Sequence, residues 1–224
     1  MGKIQNMRDL EDFVRGATLF GTGGGGSQVV GKNLLMESFN EGKTLEWVPM
    51  ESIVDDAWTC TALYMGSIAP LTEEAKKRKG ELGLDERTYK RVLVQAVKEL
   101  EQEINQKIDV IVPIELGGIN SPAPLDAAAQ LGKKMVDGDY SGRAVPEIAQ
   151  ALPVTKNLPI CPVACVDAWG DVSMIRRTRN YDMAEGLGKM LSIPAFEPIG
   201  LACFAVKASE MKKAVVPGTM TKCL

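Results

Sequence analysis

Glu115 is followed by Leu116-Gly117-Gly118-Ile119-Asn120, so a carboxylate and a carboxamide flank a glycine pair. A carboxylate in such a setting can act as a general base, and the glycines let a ligand come close to the backbone. Further along, Asp137-Gly138-Asp139-Tyr140-Ser141-Gly142-Arg143-Ala144-Val145-Pro146-Glu147 gathers three carboxylates and a guanidinium. Asp137 and Asp139 are two residues apart and point to one side in an extended chain. They are candidate oxygen ligands for a divalent metal, or a carboxyl pair that shift one another for acid–base work. Arg143 is a candidate bidentate anchor for a substrate carboxylate, and Glu147 a candidate substrate contact. The alternative is an Asp-Arg-Glu network that pins the loop. An EF-hand does not fit, because its twelfth position falls on Ile148 and no helix leads in.

A third stretch, Gly21-Thr22-Gly23-Gly24-Gly25-Gly26, is costly to order. Glycines in a row make sense where a ligand or another backbone approaches very closely. Gly23, Gly24, Gly25 and Gly26 are therefore a candidate cradle whose N–H groups, before a helix, favour a carbonyl oxygen or an anion. The run formally matches G-x-G-x-x-G, and Gly26 to Lys32 nearly matches a P-loop. Both motifs need a strand before the glycines, and here a helix pattern precedes them, so no nucleotide cofactor is expected.

The chain contains no histidine, which excludes Ser-His-Asp and Cys-His catalysis and His-ligated zinc. Cys161-Pro162-Val163-Ala164-Cys165 is not a zinc pattern, and its thiols read as core residues on one strand face; Cys60 reads the same way. Five cysteines, an odd number, and an N-terminus without a signal-peptide run point to reduced thiols in the cytoplasm. No apolar run is long enough to span a bilayer. A net charge of −3 gives no attraction for nucleic acid.

These residues need a scaffold. A chain of 224 residues with 45% hydrophobic and 25% charged residues has an ordinary globular composition, read as a single domain over residues 1–224. Met7, Leu10, Phe13, Val14, Ala17 and Phe20 mark one face of a first helix, and Ser27 caps a second that runs to about Asn40. Leu45–Val48 and Thr59–Met65 read as strands. The charged region 73–107 reads as solvated helix surface. Within it, Tyr89, Val92, Leu93, Ala96, Val97, Leu100 and Ile104 form a stripe that must pack on a sheet. Asp109–Ile114 reads as a buried parallel strand that delivers Glu115 to the crevice at the strand ends. A helix is expected over Leu125–Leu131. Strands at Ile160–Val166 and Val172–Ile175, a helix at Tyr181–Leu191, a strand at Ile199–Val206 and a helix at Ser209–Lys213 complete an α/β fold. Its sheet is expected to be largely parallel and flanked by helices.

The glycine run, the Glu115-Leu116-Gly117-Gly118-x-Asn120 stretch and the Asp137–Glu147 stretch, in that order, resemble the S-methyl thiohydantoin desulfurase-like family. That family is associated with hydantoinase- and oxoprolinase-type proteins. The matching residues are Gly21 to Gly26; Glu115, Gly117, Gly118 and Asn120; and Asp137, Asp139, Gly142, Arg143, Pro146 and Glu147. The resemblance covers essentially the whole chain, and its third stretch is the most specific. It implies an N-terminal α/β domain and hydrolysis of a hydantoin- or thiohydantoin-like ring. Family chains usually continue into a β-rich domain, which this chain is expected to lack.

Three functions follow as expectations. The first is a hydrolase in which Glu115, with Asp137 or Asp139, activates water directly or through a divalent metal held by the two aspartates. In it the glycine loop, Asn120, Arg143 and Glu147 bind a small cyclic amide or thioamide. The second is a non-catalytic accessory or ligand-binding subunit of a hydantoinase-like system. The third is a phosphate- or nucleotide-binding domain. The chain is expected to form a homo-oligomer or to pair with a chain that supplies the missing domain.

Overall fold

The computed structural model describes residues 2–67 and 69–224. In chain order the elements are β1 (Gly2–Lys3), α1 (Met7–Phe20), α2 (Gln28–Asn40), β2 (Glu46–Val48), β3 (Trp58–Met65), α3 (Glu73–Glu81) and α4 (Val92–Ile104). Then come β4 (Val110–Ile111), α5 (Pro122–Leu131), β5 (Lys134–Val136), β6 (Gly138–Asp139), α6 (Leu152–Thr155), β7 (Val163–Val166) and β8 (Val172–Ile175). The chain closes with α7 (Tyr181–Ala195), β9 (Ile199–Lys207), α8 (Ala208–Met211), β10 (Val216–Pro217) and α9 (Thr219–Cys223).

Local chemistry explains the main helices. Asn6 caps α1 by accepting from the N–H groups of Arg8 and Asp9, at 2.9 and 3.0 Å, while Asp9 accepts from Gln5 N–H in return. The Val92-to-Leu100 stripe is buried, and the charges of α3 face solvent. Ser27 caps α2, which places the glycine run between two helices, as its flanking patterns require.

An eight-stranded sheet has the order β1-β2-β5-β4-β3-β9-β7-β8. Its β2, β5, β4 and β3 are mutually parallel; β1 and the β9-β7-β8 side run antiparallel to their neighbours. The fold is thus α/β with a parallel centre in a mixed sheet. The antiparallel side arises because β7 and β8 form a hairpin and β9 returns alongside β3 without a crossover of the usual parallel kind. One face of the sheet packs against α1, α2, α4, α5 and α9, with Phe13, Trp47, Leu100 and Leu125 fully buried. The other packs against α7, α8 and the chain around Tyr140, whose ring meets Phe204 of β9 edge-on.

Several expected boundaries move, among them the start of α5, which lies at Pro122 rather than Leu125, and two strand limits that shift for a shared reason. The strand expected over Asp109–Ile114 pairs only at Val110–Ile111, with one further bond from Val112 N–H to the Cys60 carbonyl at 2.8 Å. Pro113 has no N–H to continue the ladder. Likewise the strand expected from Ile160 begins at Val163, after Pro162. Cys165 is therefore in the core as expected, whereas Cys161 lies outside the strand and is only half-buried. The helix α7 runs on through Pro194 to Ala195. All five cysteines are free. No helix among the described residues is long and apolar enough to cross a membrane.

Candidate functional site

The parallel strands β3 and β4 end at one edge of the sheet, where β9 begins antiparallel beside β3. The chain leaving β4 stays buried through Gly118. Along it, Glu115 is 5% exposed. One of its oxygens accepts from Asn120 Nδ2 at 2.5 Å, and the other accepts a short hydrogen bond from Val145 N–H. Burial raises the Glu115 pKa, aided by the nearby Asp139 carboxylate and opposed by the two hydrogen bonds and Arg143. A buried carboxyl fixed by two donors, with its proton affinity raised, is suited to taking a proton from water near neutral pH.

Glu115 and Asn120 line a cleft of about 530 Å³ with Tyr64, Glu147, Glu185 and Lys189. A second cavity of about 590 Å³ adjoins it and shares Tyr64, Gly66, Asn120 and Pro146. Gly25 and Gly26 line this second cavity, together with Arg87, Lys90 and Glu197. The glycine run and the Glu115 segment are joined by hydrogen bonds from Ile119 N–H and Asn120 N–H to the Gly25 carbonyl, at 2.9 and 3.1 Å.

The four glycines have different surroundings. Gly25 and Gly26 have φ of +71° and +85°, and among the described residues their N–H groups meet no protein acceptor. Gly24 spends its N–H on the Gly21 carbonyl at 2.8 Å and presses on Ala144. Gly23, at φ +92°, has open space around it. Gly25 and Gly26 are thus the members of the expected cradle that border a cavity.

Asp137 and Asp139 do not join Glu115 in the cleft, and the expected metal pair and catalytic partners are not what this geometry builds. Asp137 accepts from Thr221 N–H at 2.9 Å and Thr221 Oγ1 at 2.5 Å. Asp139, fully buried, accepts from the N–H groups of Ser141 and Gly142 at 2.7 and 2.6 Å and from Thr219 Oγ1 at 2.6 Å. Their side chains do point to one side, as alternation requires, but that side is occupied by α9. No group of three or more Asp, Glu or Cys able to hold a metal stands among the described residues. Asp139 does act on the site indirectly. Its turn at Ser141-Gly142 brings Val145 back onto Glu115, and Pro146 and Glu147 onto the cleft wall. Arg143, the expected substrate anchor, is exposed; its guanidinium donates to the Ala144 carbonyl at 2.9 Å and does not line either cavity.

Lining residues that were not anticipated include Tyr64, Glu185 and Lys189 in the cleft and Arg87 in the second cavity. Burial pushes the Tyr64 phenol up to about 12, so it stays protonated and can donate. Glu185 is buried and accepts from Ile148 N–H and Lys189, both at 2.7 Å. Its hydrogen bond raises the Lys189 pKa. Glu185 and Lys189 are an i,i+4 pair on α7, which resembles any solvated helix pair in sequence; Tyr64 reads as one more core residue of β3. Only the location of Tyr64 at the C-terminal end of an apolar strand gave a signal.

A family model described as the S-Me-THD-like, N-terminal domain matches residues 8–177. No curated protein matches the chain. A crystal structure of a protein from Chromobacterium violaceum, 22% identical, superposes with a TM-score of 0.80 over 100% of this chain and 60% of its own. This chain therefore spans less than two thirds of that protein's length, and the likeness is one of fold.

Proposed function

The chain belongs to the S-Me-THD-like family, and from that membership we propose that it carries a hydrolytic site for a five-membered cyclic imide or thioimide. The bond opened is the exocyclic C–S bond of an S-methyl thiohydantoin or a ring C–N bond of a hydantoin. The observation that carries this reading is the buried Glu115 carboxyl, its proton affinity raised, on the wall of a cleft of about 530 Å³. That volume suits a small ring with a side arm.

Glu115 takes a proton from water as the water oxygen bonds to the ring carbon that carries sulfur. The C=N electron pair moves to the ring nitrogen. When it returns, the C–S bond breaks and the sulfur leaves with a proton as methanethiol; the remaining hydroxyl proton then moves to the ring nitrogen, so that ring C(SCH3)=N and water become ring C(=O)–NH and CH3SH. For a hydantoin, the same attack on a ring carbonyl breaks C–N, and the leaving nitrogen takes the proton. Tyr64, protonated and lining the cleft, is the donor to the leaving atom. Asn120 holds the base and borders both cavities. No step uses a metal on Asp137 and Asp139, because their oxygens are taken up by Thr219, Thr221, Ser141 and Gly142.

The test is to incubate the chain with a panel of S-methyl thiohydantoins and hydantoins, following thiol release and ring opening. Turnover by the wild type is expected to fall about 10²–10⁴-fold in Glu115→Gln with circular dichroism unchanged. Undiminished turnover in that variant removes the base; no cleavage of any ring removes the reading.

One observation favours a second reading, that of an accessory subunit. Helix α7 exposes Met183, Leu187, Met190 and Ile193 at 52%, 40%, 63% and 62%. A stripe of this kind on one helix suits burial against a hydantoinase-like partner chain. Leu187→Glu with Met190→Glu is expected to abolish co-elution with such a chain while leaving the monomer folded.

A further inference from the structure

The two edges of the eight-stranded sheet are closed in different ways. One edge is β1, only two residues long, with the charged Lys3 as its second residue. Short length and a lysine both discourage an edge strand from pairing with another chain. The other edge is β8, Val172-Ser173-Met174-Ile175, which carries no charge, no proline and no break in register. Val172 is 41% exposed. Helices α4 and α7 pack over β7 and β9, so β8 stands at the rim of both helix layers.

The ladder fixes which backbone groups β8 leaves free. Its pairs with β7 run from Val163↔Ile175 to Val166↔Val172. At the turn, Asp167 N–H donates to the Asp171 carbonyl at 3.1 Å, and antiparallel alternation then directs the bonds of Ser173 and Ile175 at β7. The N–H and carbonyl groups of Val172 and Met174 therefore point away from the sheet, and those of Arg176 continue the series. Glu103 accepts from the Arg176 guanidinium at 2.7 and 3.2 Å, which fixes the chain as it leaves the strand.

We propose that β8 pairs antiparallel with β8 of a second copy of this chain, about a two-fold axis at Met174. With Met174 opposite its own copy, Val172 meets Arg176 and Asp171 meets Arg177. The outward groups of residues 172, 174 and 176 then form hydrogen-bonded pairs. Val172 lies along the stem of an arginine whose charge Glu103 satisfies. Asp171 and Arg177, both exposed, meet as opposite charges once on each side of the axis. That match is the reason for choosing a second copy as the occupant: the same patch is complementary to itself, as a two-fold interface requires. The proposal is independent of the hydrolytic reading.

The test is sedimentation of the full chain over a range of concentrations, with circular dichroism as the check on folding. The wild type is expected to dimerise. Asp171→Arg alone and Arg177→Asp alone each set like charges face to face and should raise the dimer Kd at least about ten-fold. The double swap restores opposite charges across the axis and should return the Kd to within about three-fold of wild type. In hydrogen exchange, the Val172 and Met174 amides should become protected as concentration rises, whereas those of Ser173 and Ile175 are protected throughout. A chain that stays monomeric at every concentration overturns the proposal, as does a dimer indifferent to both single reversals. A double swap no better than the single variants also overturns it. So does a dimer lost in Leu187→Glu with Met190→Glu but kept in the β8 variants, which would move the interface to α7.

Discussion

Gly25 and Gly117 meet backbone to backbone. A Cβ on Gly25 would lie 2.4 Å from Gly117 Cα, and one on Gly117 would lie 2.3 Å from Gly25 Cα. The loop that ends α1 thus locks onto the segment that carries Glu115, and this contact brings the two cavities together.

Gly25→Ala should therefore be severe. The new methyl meets main chain that cannot move aside, at a φ of +71° that alanine resists. A loss of about 2–4 kcal/mol is expected in urea unfolding. Gly23→Ala, with open space at φ +92°, should cost only about 1 kcal/mol. Equal losses would show that the glycine contact is not what holds the loop.

The Glu115 carboxyl gives opposite pH signs for activity and stability. The base must be ionised, so kcat/KM should fall as pH drops through a limb above 4.5. For stability, the folded value is raised above the unfolded one. Its contribution is full below the unfolded value and is lost as pH rises through the folded one. Wild type should thus lose stability relative to Glu115→Gln as pH increases from the acid side, measured by paired urea unfolding curves.

Glu101 should behave in reverse. Burial works against its carboxylate, but Lys133 at 2.7 Å and the Ile108 N–H outweigh this and hold its pKa below 4.5. That stability is present above the unfolded value and is lost as pH falls through the folded one. Lys133→Met leaves a buried carboxylate without its main partner and should cost about 3–5 kcal/mol at neutral pH. The gap to wild type should narrow in acid.

Asp139→Ala should destabilise the chain by about 1–3 kcal/mol, since it strands the Ser141 and Gly142 N–H groups and Thr219. Asp137→Ala, at a half-buried position, should cost less. If the two are pins for α9 rather than metal ligands, millimolar Mg²⁺ or Mn²⁺ will not raise the melting temperature of wild type more than that of Asp137→Ala. A selective rise in wild type would restore the metal site.

Much of this protein was legible in one dimension. The period of apolar residues marked α1, α4 and most strands, because burying one face of an element is a local pattern with a fixed repeat. The absence of histidine limited the acid–base groups, and an apolar strand followed by Glu115 placed a carboxylate at a strand end. Which carboxylates share a cleft was decided only by the tertiary structure. Asp137, Asp139 and Glu115 look alike in the sequence, yet α9 returns from the far end of the chain to take up the first two. Likewise Arg143 and Arg87 lie equally far in sequence from Glu115, but the turn set by Asp139 sends Arg143 outward, while the β7–β8 hairpin fixes Arg87 at the cavity. Hydrogen-bond partners so distant in sequence leave no periodic trace, so side-chain orientation at the site depended on the whole fold.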